Sequence, residues 1–282
     1  MDTFIRSNPK LIDIYSKEAR NNLNVMVDYL CSTTAPNTLP SLIKFNGTNL
    51  QECHEYISKI LYTTENNNLV NYVLKNRAKI SNGDFIDGFA AIYDLKREHL
   101  IEVSTNRFFA SVSSLEHELI HILMAINNNN PEKQYNEVLS VFGELITADL
   151  LSQKYNNRDI YINHLIVKCV NRMSYRVYGS YFEDEEREKQ SNFLKAQFLS
   201  GYDYMLGFIY AIRLLDFYYQ DSKKTLKDFN LILSGKKTVK ELLTQYHISL
   251  EDKETIHSFF RIVDLYQNYV NVKYGEEVHY TK

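Results

Sequence analysis

The sequence predicts a mostly α-helical protein of the α+β class, with one small β element set among helices. Three observations carry that expectation. Only four prolines and nine glycines interrupt 282 residues, so few positions stop a helix. Apolar residues recur at three- and four-residue spacing over most of the chain, as in YISKILYTTENNNLVNYVL (56–74), which is the period of a helix with one buried face. Alternation at a period of two is confined to DGFAAIYDL (87–95) and HLIEVST (99–105). Both are rich in aromatic and β-branched residues and are separated by charges, which reads as a β-hairpin.

Taken in order, helical spacing covers 10–31 and 50–78 and changes near Asn82-Gly83, where the hairpin begins. From Ser111 the helical period returns, with Ser113 or Ser114 placed to cap the helix. The tract Asn127–Asn130, followed by Pro131, ends that helix and reads as a solvated loop. Further helices are expected over 136–154, 159–175, 187–219, 222–234, 237–246 and 251–273. FEDEEREK (182–189) reads as a solvated helix start. The expected division is an N-terminal helical segment over 1–80, either a cap or part of the same body, and a second unit over 81–282 that holds the motifs.

Composition bounds the partners. Hydrophobic residues make up 44% and charged residues 24% of the chain, ordinary for a globular protein. A formal net charge of -3 offers no basic surface for nucleic acid. The three cysteines, Cys31, Cys53 and Cys169, are too scattered for a disulfide framework or a thiolate cluster, and a reducing cytoplasm is the default location. MDTFIRSNPKLIDIYSKEAR lacks the pattern of a secretory signal, and no apolar run is long enough to suggest a membrane partner.

The stretch that carries chemistry is SSLEHELIHILMAI (113–126). Positions four apart share one helix face, so His117 and His121 can aim two imidazoles at one ion. Glu118 is rotated by about 100° from His117, which suits a general base beside the metal's water rather than a ligand. Burying two histidines and a glutamate without partners is costly, so a plain core helix would need its own hydrogen-bond network here. A catalytic zinc takes three protein ligands and keeps one open position. The following helix, YNEVLSVFGELITADLL (135–151), supplies Glu137, Ser140 and Glu144 along one stripe. Glu137 is the expected third ligand. Glu144 suits an acceptor for a ligand histidine's other ring N–H, and exchanging the two glutamates would leave the chemistry intact.

HELIH followed by EVLSVFGE resembles the zinc oligopeptidases of the thimet oligopeptidase and oligoendopeptidase F family, gluzincins with the pattern His-Glu-x-x-His then Glu-x-x-Ser-x-x-x-Glu. The pattern falls on His117, Glu118, His121, Glu137, Ser140 and Glu144. SGYDYMLGFIYAIRLL (200–215) and LILSGKKTVKELLTQYHISL (231–250) are similar to that family's Tyr-rich and closing segments. The resemblance covers roughly 85–275 and departs from the family in a much shorter chain, a short gap from His121 to Glu137, and Gln197-Phe198 where a histidine is usual. It implies a helical zincin-type metallopeptidase domain that holds a single zinc ion and cleaves peptides, with the hairpin before the zinc helix holding substrate backbone. On that reading Glu118 is the general base, and a tyrosine hydroxyl stabilises the oxyanion. Tyr202 is the first candidate for that role, then Tyr204 and Tyr210. Asn171-Arg172-x-x-Tyr175 is similar to an oxyanion element of clostridial neurotoxin light chains, although an ion-pair role is the simpler reading of Arg172. Two alternatives stay open: a site-specific protease of one protein, and a non-catalytic peptide-binding or regulatory protein with a retained zinc site. The sequence fixes no oligomeric state.

Overall fold

The computed structural model of the chain describes residues 16–33, 50–81, 89–91, 98, 100–104, 108–155 and 191–274. The expected helix over 159–175, the acidic run 182–189, Arg172 and Tyr175 lie outside them. Most described residues are helical, in line with the expected mostly-α class. In chain order the helices are α1 (Lys17–Thr33), α2 (Leu50–Leu61), α3 (Thr64–Arg77), α4 (Phe108–Ile126), α5 (Val138–Tyr155), α6 (Ser191–Gln220), α7 (Ser222–Leu233), α8 (Val239–Gln245) and α9 (Lys253–Tyr274), with a short 3-10 turn at Lys133–Tyr135.

The strands are β1 (Ala78–Ser81), β2 (Phe89–Ala91) and β3 (Ile101–Ser104), in the order β1-β3-β2. The expected hairpin partners pair: β2 runs antiparallel to β3, with Phe89 opposite Val103 and Ala91 opposite Ile101. The parallel partner β1, with Ala78 opposite Ile101, was not expected, because the alternation in Ala-Lys-Ile-Ser is only four residues long and follows directly on a helical run. A contact distant in the chain draws it into the sheet. The boundary placed between 80 and 81 falls inside β1, and α1 and α2 contribute Leu23, Met26, Ile57 and Leu61 to the same hydrophobic core as the central helices.

The stretch read as helical over 50–78 is two helices that break at Tyr62-Thr63. Thr63 caps α3, its side chain accepting from the Asn66 amide. The break is held by Asn230 of α7, which donates to Leu61 O (2.9 Å) and Leu226 O (2.8 Å) and accepts from Thr63 N (2.8 Å) and Asn66 Nδ2 (2.9 Å). The Asn127–Asn130 tract also does more than face water. Asn128 takes φ 53° in a Schellman-type stop, and its neighbours clasp the end of α7. Asn127 donates to Leu233 O at 2.6 Å, and Asn129 to Ile232 O and Lys237 O, both at 2.7 Å.

α4, α5 and α6 form the centre. Every residue of α5 from Val138 to Leu151 is buried, so this helix is enclosed by the others rather than amphipathic. Phe142 packs edge-on against Phe229 of α7 with ring centroids 5.7 Å apart. Gly143 lets α4 approach: a Cβ there would meet Ile120 Cδ1 at 2.1 Å. α9 is clamped to α6 through Asp216, which accepts from Arg213 Nη1 (2.8 Å), Ser258 Oγ (2.9 Å) and Arg261 Nη2. Because α5 is enclosed from Val138 to Leu151, polar side chains on that stretch need partners within the protein. Those partners define the site.

Candidate metal centre

α4 carries His117 and His121 one turn apart, both turned inward at 7% and 3% exposure. Ile120 meets Gly143 while His117 meets Glu144, so α5 runs antiparallel to α4. Its N-terminal end, reached through the 127–137 connection, returns beside the two rings. Glu137, directly before α5, places Oε2 3.2 Å from His117 Nε2 and 3.5 Å from His121 Nε2. The two ring nitrogens are 3.1 Å apart. His117, His121 and Glu137 form the one group of three or more potential metal-ligating side chains found among the described residues.

The triangle has the size a tetrahedral ion requires. Ligand atoms at zinc's usual distance of about 2.0–2.1 Å stand about 3.3–3.4 Å from one another in a tetrahedron, and the edges here are 3.1, 3.2 and 3.5 Å. Two imidazoles and one carboxylate are also a donor set that suits zinc.

Without a cation, the group is held together by protons. Burial disfavours a charged imidazole at His117, but the Glu144 and Glu137 carboxylates outweigh it and push the ring up to about 10. Burial likewise opposes a charged Glu137, yet its contacts with His117 and His121 hold it well below the ordinary carboxylate range. Cationic imidazole and anionic carboxylate stabilise each other in a site shielded from water.

The other expected residues sort by neighbour. Ser140, at 0% exposure, donates to Glu137 O at 3.1 Å and to Glu137 Oε2 at 3.4 Å, steadying the carboxylate. Glu144, also 0% exposed, lies 3.5 Å from His117 Nδ1, too far for a full hydrogen bond but on the side of the ring that faces away from the triangle. Glu118 is half-buried, the most open of the three residues in the motif.

Tyr204 is buried, donates its hydroxyl to Glu144 Oε2 at 2.8 Å and stacks near the His117 ring, with centroids 6.3 Å apart and planes at 26°. That places it behind a candidate ligand. Tyr210, two turns further along α6, packs its ring 6.3 Å from that of Tyr135. It lines a cleft of about 600 Å³ with Lys240, Leu243 and His247. Tyr202 falls within α6, and its side chain lies outside the described ones.

One contributor escaped sequence reasoning. A Cβ at Gly207 would stand 2.6 Å from Glu137 Cβ, 2.8 Å from its carbonyl carbon and 2.9 Å from its carbonyl oxygen. The bare backbone of α6 is what lets Glu137 sit where it does. A lone glycine inside a strongly helical segment was the available signal, since it costs helix stability and asks for a packing reason.

No helix among the described residues is long and apolar enough to cross a membrane. No protein-family model, no curated protein and no solved structure matches the chain.

Proposed function

We propose that the protein is a zinc-dependent metallopeptidase that hydrolyses peptide bonds in oligopeptides or unfolded segments, acting in the cytoplasm without nucleic-acid partners. The observation that carries this reading is the triangle of His117, His121 and Glu137 with edges of 3.1–3.5 Å, next to a half-buried glutamate in the His-Glu-x-x-His register. The likeness of the motifs to zinc oligopeptidases supports the same assignment.

A zinc ion held by these three side chains supplies a Lewis acid for the scissile carbonyl and acidifies water. Glu118 takes the proton from the attacking water and returns it to the leaving amine. Ser140 and Glu144 hold the ligands in place, and Tyr204 holds Glu144. Tyr202 is kept as the oxyanion donor, because Tyr204 already donates to Glu144. A purely structural ion would have no use for a half-buried glutamate in the His-Glu-x-x-His register, which favours a catalytic over a structural site.

The test is metal analysis with turnover. Purified protein carries about one zinc per chain and cleaves a quenched peptide library. Glu118→Gln retains the zinc and loses cleavage by at least about 100-fold. A wild-type protein that binds no zinc, or a Glu118→Gln protein that cleaves as well as wild type, refutes the assignment.

A further inference from the structure

On the opposite flank of α4 from the metal triangle lies a second buried polar cluster. Glu116 is 0% exposed; its Oε1 is 2.6 Å from His54 Nδ1 of α2, and its Oε2 accepts from the Tyr62 hydroxyl at 2.7 Å. His54 and Tyr62 are themselves 3% and 6% exposed. Glu116 sits in the apolar stripe of the helix, beside Val112, Leu119, Ile120 and Leu123, all 0% exposed. Periodicity alone would put a leucine there. A carboxylate at such a position is tolerated only with close, well-aimed partners. Burial disfavours charge on His54, but the neighbouring Glu116 outweighs it and raises the imidazole.

The bond geometry constrains α4 in a way that apolar packing cannot. Hydrophobic contact is non-directional, so an all-apolar interface leaves a helix free to settle at slightly different rotations about its axis. The two bonds to Glu116 arrive from one residue of α2 and one just beyond its end, and both fail if α4 rolls. Glu116 is the chain neighbour of His117 and lies about 100° around the helix from it, so fixing one direction fixes the other.

We propose that His54, Tyr62 and Glu116 form a buried anchor that sets the roll of α4, and so act as positioning residues for the His117 and His121 ligand pair. The inference rests on the metal reading above. It assigns a role to the N-terminal helices: they present the ligand face of α4 to Glu137 rather than merely covering it.

The experiment titrates full-length, metal-free wild type and two variants with zinc(II) and cobalt(II), alongside thermal melts of each. Tyr62→Phe removes one hydroxyl. The combined His54→Leu, Tyr62→Phe, Glu116→Leu variant replaces the whole cluster with apolar groups, a change that commonly leaves stability unchanged or raised. Both variants are expected to lose about 10- to 100-fold in zinc affinity and to show a shifted cobalt(II) visible spectrum. The thermal midpoint of the combined variant does not fall. A purely structural cluster would instead lower the midpoint and leave the cobalt spectrum of the folded protein as in wild type. If the combined variant does not fold, Tyr62→Phe decides alone. Wild-type affinity and spectrum in the folded variants overturn the anchor while the metal site stands; a wild type that binds neither ion overturns both.

Discussion

Substituting Gly207 by alanine isolates the placement of Glu137, the proposed third ligand, from the stability of the fold. In an ordinary helix interior, Gly→Ala stabilises by about 1 kcal/mol. Here the new Cβ would meet Glu137 Cβ at 2.6 Å and its carbonyl carbon and oxygen at 2.8 and 2.9 Å. Non-bonded carbons sit about 3.5–4.0 Å apart, so α6 and the Glu137 backbone must separate by about 1 Å. The obstructing atoms are largely backbone, so no side-chain rotation relieves them. Overpacking of this kind costs about 1–3 kcal/mol, which the gain in helix propensity partly offsets, and the thermal midpoint should fall by only a few degrees. The proposed metal site is less forgiving, because ligand distances are met to about 0.2 Å. A displacement of about 1 Å takes the Glu137 carboxylate out of range and lowers zinc affinity by about 100-fold. Competition against a fluorescent zinc chelator measures the affinity, and a melt of the metal-free protein measures the fold. Gly143→Ala is the comparator: its clash is with the Ile120 side-chain tip rather than with a ligand's backbone. A Gly207→Ala protein that binds zinc within about threefold of wild type would show that this contact does not set the ligand.

The remaining predictions follow the same logic. Tyr204→Phe removes the donor that holds Glu144 and should weaken zinc binding about tenfold, read in the same competition assay, with little change in fold. Zinc requires a neutral imidazole, whereas His117 in the metal-free protein keeps its proton up to about 10. Zinc binding should therefore release about one proton and strengthen about tenfold per pH unit on the acid side of that value, which calorimetry in buffers of different ionisation enthalpy will detect. The contribution of His117 to the stability of the metal-free protein has the opposite sign. The raised His117 contributes fully below its ordinary value of 6.5, and that contribution is lost as pH rises through about 10. The lowered Glu137 contributes above its ordinary 4.5 and loses that contribution in acid. Asn230→Ala should cost about 3 kcal/mol by stranding buried partners at the α2–α3 break, measured by denaturant melts.

Much was legible from local pattern. The helices around 138–155, 222–233, 239–245 and 253–274 lie within a few residues of their expected bounds, because helical spacing and, for the last three, capping residues are written locally. Thr238 and Glu241 even form the reciprocal capping box of α8. The paired histidines were legible for the same reason: four residues of helix bring them to one face whatever surrounds them. The break at Thr63 was not, since it depends on Asn230. Nor was the asparagine clasp, since Asn129 gains its meaning only from the carbonyls of Ile232 and Lys237.

The sequence by itself indicated most of the described helices, where the β pair lies and which two imidazoles can share an ion, because each of these follows from a period of two or 3.6 along neighbouring residues. Only the tertiary structure decided between the two glutamates. α6 runs parallel to α5, with Gly207 against Glu137 and Tyr219 on Asp149, while the Tyr204 hydroxyl reaches across to Glu144. The first acid is thereby pressed toward both ring nitrogens, and the second is held behind His117. That choice depends on how closely two backbones approach and where a distant hydroxyl lands. Spacing along the chain does not encode such quantities, because they arise only when separate helices pack.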